Sequence, residues 1–311
     1  MIKNKKIAKQ LKKFFLYLFA AIIVAVSIVS LYINLPKSLE SIDNSLRDYM
    51  FVLRGEKPQS NQVVIVDIDE KSLGTLGQWP WSRHKVAKIL ENLAAANAAI
   101  IGFDIVFAEE DNSSPHKVLK ELNIKKDDVP NYDEIFANMV VNTPTILGYQ
   151  FQLEEEEYIK MKAPQIPAIF IEKNRQQGEE FLLNAKGTIL NIPLLQDNAY
   201  SSGFFNNVPD PTGVVRSVPM VIRYEEQIYP ALSLEIVRAV SGIDKVYINY
   251  DELGVKNISI GDFDIPTDRY GRLIVNFRGK EKTFKYLSAV DIFNNTFDKN
   301  LIKVKIILIG T

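Results

Sequence analysis

Three aspartates stand where an α/β sheet can do chemistry. Asp67 and Asp69, one residue apart, follow the run Val63-Val64-Ile65-Val66, and Asp104 follows Ala99-Ile100-Ile101-Gly102-Phe103. Short β-branched and apolar runs of this kind form strands buried on both faces. Carboxylates just past their ends reach the crevice where open α/β sheets bind ligands. Three roles are open to them: holding a ligand or cation, metal-assisted phosphohydrolysis by Asp67 and Asp69, or capping helices and pairing with Arg83 and Arg216.

A second group lies nearby in sequence. Trp79 and Trp81 flank Pro80 in a loop with large aromatic faces, which packing alone can explain. Arg83 beside them has the fork that clamps a carboxylate at two points, from a ligand or from within the domain. Arg216 follows a turn built from Asn206, Asn207, Pro209, Asp210, Pro211 and Gly213, residue types that turn formation explains unaided. The candidate ligand-binding set is therefore Asp67, Asp69, Trp79, Trp81, Arg83, Asp104 and Arg216.

Other chemistry is excluded by what the chain lacks. Cysteine is absent, which removes disulfides, thiolate metal sites and a cysteine nucleophile. His84 and His116, the two histidines, do not have metal-ligand spacing. There is no Gly-x-Ser-x-Gly elbow, no Gly-rich dinucleotide loop after a strand and no Walker lysine. The strand followed by Asp-x-Asp resembles haloacid-dehalogenase-like phosphatases, which would imply attack by the first aspartate with magnesium. The Thr or Val expected two residues after the second aspartate is Lys71 here. No catalytic residue, metal or cofactor is expected in this segment.

The elements that must position these residues begin with a membrane anchor. Residues 14–35 are 22 without a charge, reaching roughly 33 Å as a helix, enough to cross a hydrocarbon layer of about 30 Å. Lys3, Lys5, Lys6, Lys9, Lys12 and Lys13 precede them. Such a cluster stays on the cytoplasmic side. The stretch is too long for a cleaved signal peptide and ends in Tyr32-Ile33-Asn34-Leu35-Pro36 rather than small residues. The expected organisation is a cytoplasmic tail at 1–13, a transmembrane helix at 14–35 and a periplasmic or extracellular domain at 36–311. Beyond the six lysines the chain has 31 basic against 38 acidic residues, a net of −7. That balance argues against a nucleic-acid surface.

The exported part alternates strands and helices. Residues 36–54 carry Leu39, Ile42, Leu46, Tyr49 and Leu53 at spacings of three and four, read as the domain's first packed helix rather than a coiled coil. Ser82 can cap a helix whose apolar stripe is Val86, Ile89, Leu90 and Leu93. The strand, helix and strand over 63–103 have the form of a right-handed parallel βαβ unit. A helix at 132–141 and a strand at 145–151 extend the alternation. Glu154 to Glu157, near Pro164, Pro167 and Gly178, reads as a solvated hairpin or insertion. Further strands are expected at 214–224, around 246–260, at 273–277 and at 305–309. Helices are expected at 230–240, apolar nearly all round, and at 286–294. The fold class is α/β, a transmembrane helix followed by a mixed, partly parallel sheet flanked by helices.

Several phrases in order then resemble one family: VVIVDIDEKSLGTLGQWPWSRHKVAKIL, AAIIGFDIVFAEED, GFFNNVPDPTGVVRSVP with YPALSLEIVRA, YGRLIVNFRG and VKIILIG. Together they resemble the extracellular sensory domain CHASE, type two (cyclase and histidine-kinase associated sensory extracellular domain), over nearly all of residues 40–311. The resemblance implies a receptor in the cell membrane whose exported domain senses a small-molecule or protein signal. It also implies further membrane helices and a cytoplasmic cyclase or kinase output outside this segment. A segment of a longer receptor, paired as a homodimer, is the expectation.

Overall fold

The computed structural model describes residues 2–34, 36–124, 126, 128–154, 163–165, 167–176 and 180–310, with backbone alone at 2–11, 31–34 and 36–40. The chain divides into two compact units, Met1–Lys57 and Pro58–Thr311.

The first unit is two helices, α1 (Ile2–Asn34) and α2 (Pro36–Arg54). Pro36 opens α2 at the position where a missing N–H is harmless. Within α1, Lys12–Ser30 is long and apolar enough to cross a membrane, and Phe14, Phe19 and Ile28 are exposed along it. On α2, Ile42, Leu46, Tyr49 and Leu53 are also exposed, by 58% to 68%. Within the first unit this stripe is thus not covered by α1 at the described side chains.

The second unit begins with β1 (Val63–Asp67), α3 (Glu70–Leu76), α4 (Arg83–Ala95), β2 (Ile100–Phe103), α5 (Pro115–Glu121), α6 (Tyr132–Val141) and β3 (Thr145–Gln152). It continues through β4 (Ile169–Lys173), β5 (Gly187–Ile189), α7 (Pro193–Gln196), β6 (Ser201–Phe204), β7 (Ser217–Pro219), β8 (Val221–Tyr224) and β9 (Gln227–Pro230). Then come α8 (Leu232–Ser241), β10 (Lys245–Asp251), β11 (Gly254–Ile260), β12 (Phe263–Pro266), β13 (Arg272–Ile274), β14 (Lys285–Ser288), α9 (Ala289–Phe293) and β15 (Ile306–Gly310).

The main sheet runs β14-β1-β15-β2-β3, and β3 pairs with both β5 and β6. Every pairing in it is parallel except β3 with β5. The mixed, partly parallel sheet flanked by helices is thus present. β1 and β2 are parallel in the same sheet, as expected for the strand, helix and strand over 63–103, and β15 lies between them. The reason is burial: β15 is apolar on both sides and needs a neighbour and a covering layer on each.

One face of the sheet packs Val64, Val66, Ile101, Phe103, Ile307 and Ile309 against helices α4, α6 and α9. Phe103, Phe107 and Phe136 meet edge to face there, with centroids 5.1 to 5.8 Å apart. On the other face α8 lays Leu232 and Ile236 over Ile100 and Ile146. A smaller sheet, β12-β11-β10-β4, forms its own core around Val246, Ile248, Ile258 and Ile260.

Local readings changed where pairing overrode propensity. Residues 286–288 belong to β14, because Tyr286 and Leu287 take register against Ile65 and Val66, and only α9 is helical. The strand expected at 214–224 is split into β7 and β8 at Met220, whose N–H turns to the Gly271 carbonyl. β13 stops at Ile274, and α8 starts at Leu232 because Pro230 ends β9. Val237 and Val240 of α8 are exposed by 43% and 50%, so the helix is not apolar-buried all round. Gly242 does close it, in the left-handed conformation at φ 64°. Leu35, Gly178 and residues 155–157 of the acidic run lie outside the described residues, as does the side chain of Leu39.

Candidate functional site

Side-chain alternation brings three strand ends to one place. On β1, Val64 and Val66 enter the helix-covered core, so Val63, Ile65 and Asp67 face the opposite side. On β15, Ile307 and Ile309 enter that core, and Ile306, Leu308 and Gly310 face the other way. The same alternation turns Ile100 and Gly102 outward on β2 and delivers Asp104 just past its end. Asp67 is in register with Gly310, and Phe103 with Ile309, so Asp104 follows opposite Gly310. Asp67, Gly310 and Asp104 therefore form one row across three strands.

This row floors a groove of about 510 Å³, bounded by the strand residues Ile65 and Leu308, by Tyr286, by Phe205 and by the α8 residues Ser233 and Val237. The volume is in the range of small-ligand sites, roughly 300–1,000 Å³. Asn206 fixes the Phe205 side, exchanging hydrogen bonds with the Phe151 backbone N–H (2.8 Å) and carbonyl (2.7 Å). Burial pushes the Asp67 carboxyl up, the nearby Asp69 charge adds to this, and Lys282 opposes it. Asp104 is pushed up by burial alone. Its surface opens to solvent, yet the concave wall around it displaces part of its hydration.

Asp69 has a different environment. Its Oδ1 accepts the Ser72 N–H (2.9 Å), the Ser72 hydroxyl (2.6 Å) and the Ser288 hydroxyl (2.8 Å), capping α3. Burial works upward on this carboxyl, but the hydrogen bonds outweigh it and hold it below the ordinary aspartate value. One residue of spacing thus sends Asp67 to the groove and Asp69 to a helix cap.

Trp79, Trp81 and Arg83 line a separate depression of about 390 Å³ together with Glu109, Asp111 and Ser113. The indoles meet edge to face at 5.4 Å, and Trp81 Nε1 donates to the Gly77 carbonyl at 2.6 Å. The Arg83 side chain is only 9% exposed. Its guanidinium donates to the Glu109 carbonyl (3.1 Å), faces Asp133 at 3.7 Å and lies 4.5 Å over the Phe107 ring. Burial pulls the Arg83 pKa down, against the pull of Asp133 and Asp111. Ser82 precedes α4 but makes no side-chain cap bond; the Asp111 carboxylate takes the Arg83 N–H at 2.6 Å instead.

Arg216 pairs with Asp210 and donates to Thr212 Oγ1 at 2.9 Å. The Asp210 carboxyl is pushed down to about 2, first by the Thr212 hydroxyl, with the Thr212 N–H and Arg216 adding to it. The seven sequence candidates are therefore divided: Asp67 and Asp104 share the groove, Trp79, Trp81 and Arg83 share the depression, and Asp69 and Arg216 serve local structure. Gly310, Tyr286, Phe205 and Ser233 were not among those candidates. Gly310 and Phe205 lie within the phrases VKIILIG and GFFNNVPDPTG, the one sequence signal pointing to them. Among the described residues no group of three or more His, Cys, Asp or Glu is placed to hold a metal ion.

A family model described as the CHASE2 domain matches residues 20–311. No curated protein and no solved structure matches the chain.

Proposed function

The chain belongs to the CHASE2 domain family, the extracellular sensory domains of signalling receptors, and on that premise we propose that the groove at Asp67 and Asp104 is its signal-binding site. The observation that carries this reading is that two carboxylates from different strands open into one small-ligand-sized groove on the sheet face α8 covers only in part. The segment acts by binding, without catalysis of its own. Its signal biases two states of the domain and, through the membrane helix, a cytoplasmic cyclase or kinase. A ligand does this only if it binds one state better than the other. Two chains pair in the membrane, a twofold dimer being the commonest assembly.

Blocking the groove tests the reading. Ser233 is an exposed α8 position on the groove wall, so Ser233→Trp fills the space without entering the core. In the intact receptor, output should then stay constant under growth conditions that modulate the wild type. Modulation equal to wild type would remove the groove from signalling.

The orientation has its own test. With the six lysines held inside, a periplasmic reporter fused after residue 60 should be active, and protease added to intact spheroplasts should digest the second unit. Protection of that unit would reverse the proposed orientation.

A further inference from the structure

We propose that the groove selects a small organic ammonium ion, its charged head lying over Gly310 between the Asp67 and Asp104 carboxylates and its apolar body against Ile65, Leu308 and Phe205. This rests on the groove being the signal site and adds the chemical class of its occupant.

The argument starts from the row of residues at the strand ends. Adjacent strands are roughly 4.8 Å apart, so the backbones of Asp67 and Asp104 are about 10 Å apart across Gly310. Side chains leaning inward can bring their oxygens onto one ammonium, each at about 2.8 Å. The register carries the row onward from Asp104 to Gly148 on β3 and Gly203 on β6. These glycines differ in what lies above them. A Cβ on Gly148 would come within 2.4 Å of the Phe103 carbonyl oxygen and 2.6 Å of the Phe205 ring, and one on Gly203 within 2.6 Å of the Leu232 backbone. Their space is taken. Outside its chain neighbours, the described atoms nearest a Cβ on Gly310 belong to Asp104, its Cβ at 3.4 Å and its carboxylate at 3.9 Å. Of these three glycines, Gly310 is the one where an added Cβ meets no described atom closer than 3.4 Å outside its chain neighbours.

Charge and wall chemistry then fix the class. Neither Asp67 nor Asp104 has a side-chain hydrogen bond or ion pair among the described residues. Lys282 is near enough to lower the Asp67 pKa and Glu281 to raise it, yet Lys282 forms no ion pair with Asp67. Burial raises both carboxyls, and the Asp69 and Glu281 charges add to it at Asp67; a bound cation would act against each of these effects. A calcium ion would need six to eight oxygen ligands; the groove offers two carboxylates and the polar groups of Asn206, Asn207 and Ser233 on walls that are otherwise apolar, and among the described residues no group of three or more carboxylates is placed to hold a metal ion. An ammonium has three donors, and its carbon substituent takes up the apolar walls. Phe205 and Tyr286 add aromatic rings to that apolar lining.

The test uses the whole chain in lipid nanodiscs, with empty nanodiscs as the blank, and three probes of one shape: 2-phenylethylammonium, 2-phenylethanol and 3-phenylpropionate. Calorimetry should show one ammonium bound per chain, roughly ten-fold or more tighter than the alcohol, with no binding of the carboxylate. Asp67→Asn with Asp104→Asn should bring the amine down to the level of the alcohol. Gly310→Val, which keeps both charges and fills the floor between them, should abolish amine binding while thermal unfolding stays near wild type. Equal affinity for amine and alcohol, preference for the carboxylate, displacement of the amine by millimolar calcium, or an amine affinity unchanged in the double variant would each overturn the proposal. So would failure of all three probes to bind. The wider reading fails separately, through Ser233→Trp: a groove that signals but prefers a neutral or anionic probe retains its sensory role and loses only the ammonium assignment.

Discussion

Replacing Glu235 with leucine is expected to destabilise the second unit by about 3–5 kcal/mol, the usual cost of stranding a buried charge by removing its partner. Glu235 is fully buried. Its carboxylate receives Arg238 Nε and Nη2, both at 2.7 Å, and the Ser201 hydroxyl at 2.5 Å. Arg238, 7% exposed, donates Nη1 to the Ile243 carbonyl at 2.7 Å. These bonds tie α8 to β6 on one side and to the approach to β10 on the other. With leucine at 235, the buried guanidinium keeps only the exposed Asp244 carboxylate, 3.8 Å from Nη1, as counter-ion, and the Ser201 hydroxyl loses its acceptor. Glu235→Gln keeps the shape and an acceptor oxygen, so its loss should be clearly smaller. Both tryptophans, Trp79 and Trp81, lie in the second unit, so urea unfolding followed by intrinsic fluorescence reports on that unit within the whole chain. A loss under about 1 kcal/mol for Glu235→Leu would mean the pair is solvated rather than buried. Because α8 carries Ser233 and Val237 into the groove, the same variant should also impair probe binding.

The strands that build the groove are legible as apolar runs, and the helix expected around 132–141 from the alternation of strands and helices is present at Tyr132–Val141. The order of the strands is not legible. β15 joins β1 and β2 from about two hundred residues away, and nothing in VKIILIG says which neighbours it takes. The row of Asp67, Gly310 and Asp104 exists only because of that insertion. Asp67 and Asp69 look equivalent in sequence. They separate because the strand ends at Asp67, and Asp69 has already become the cap of α3. β14 reads as helix because four residues, half of them polar, carry too little alternation to outweigh the helical stretch that follows. The Arg216 and Asp210 pair, by contrast, is local and lies in the turn the sequence announces.

Of the two partners open to Arg83, a ligand or a group within the domain, the structure supplies the second, and Arg83→Met should cost the second unit about 3–5 kcal/mol at neutral pH. A side chain waiting for a ligand would be removable at little cost to stability. Arg83 is instead enclosed by Phe107, the Glu109 carbonyl and Asp133. Asp133 is itself 5% exposed and accepts the Asp111 N–H at its Oδ2, 2.9 Å away. Methionine fills the aliphatic part of the space and leaves Asp133 as a buried anion without a cation. Burial already pushes the Asp133 carboxyl above the ordinary value, against the Asp111 N–H and the Arg83 charge. Without Arg83 it stands higher still. A carboxyl raised in the folded state contributes stability that is fully present below its unfolded value, about 3.9, and is lost as pH rises through the folded value. The deficit of Arg83→Met should therefore shrink as pH is lowered from neutral toward about 4, where Asp133 takes up its proton in the variant before it does in the wild type. Urea midpoints of the two proteins across that range measure it. A deficit that is small at neutral pH, or constant across the range, would return Arg83 to the pool of residues free to meet a ligand.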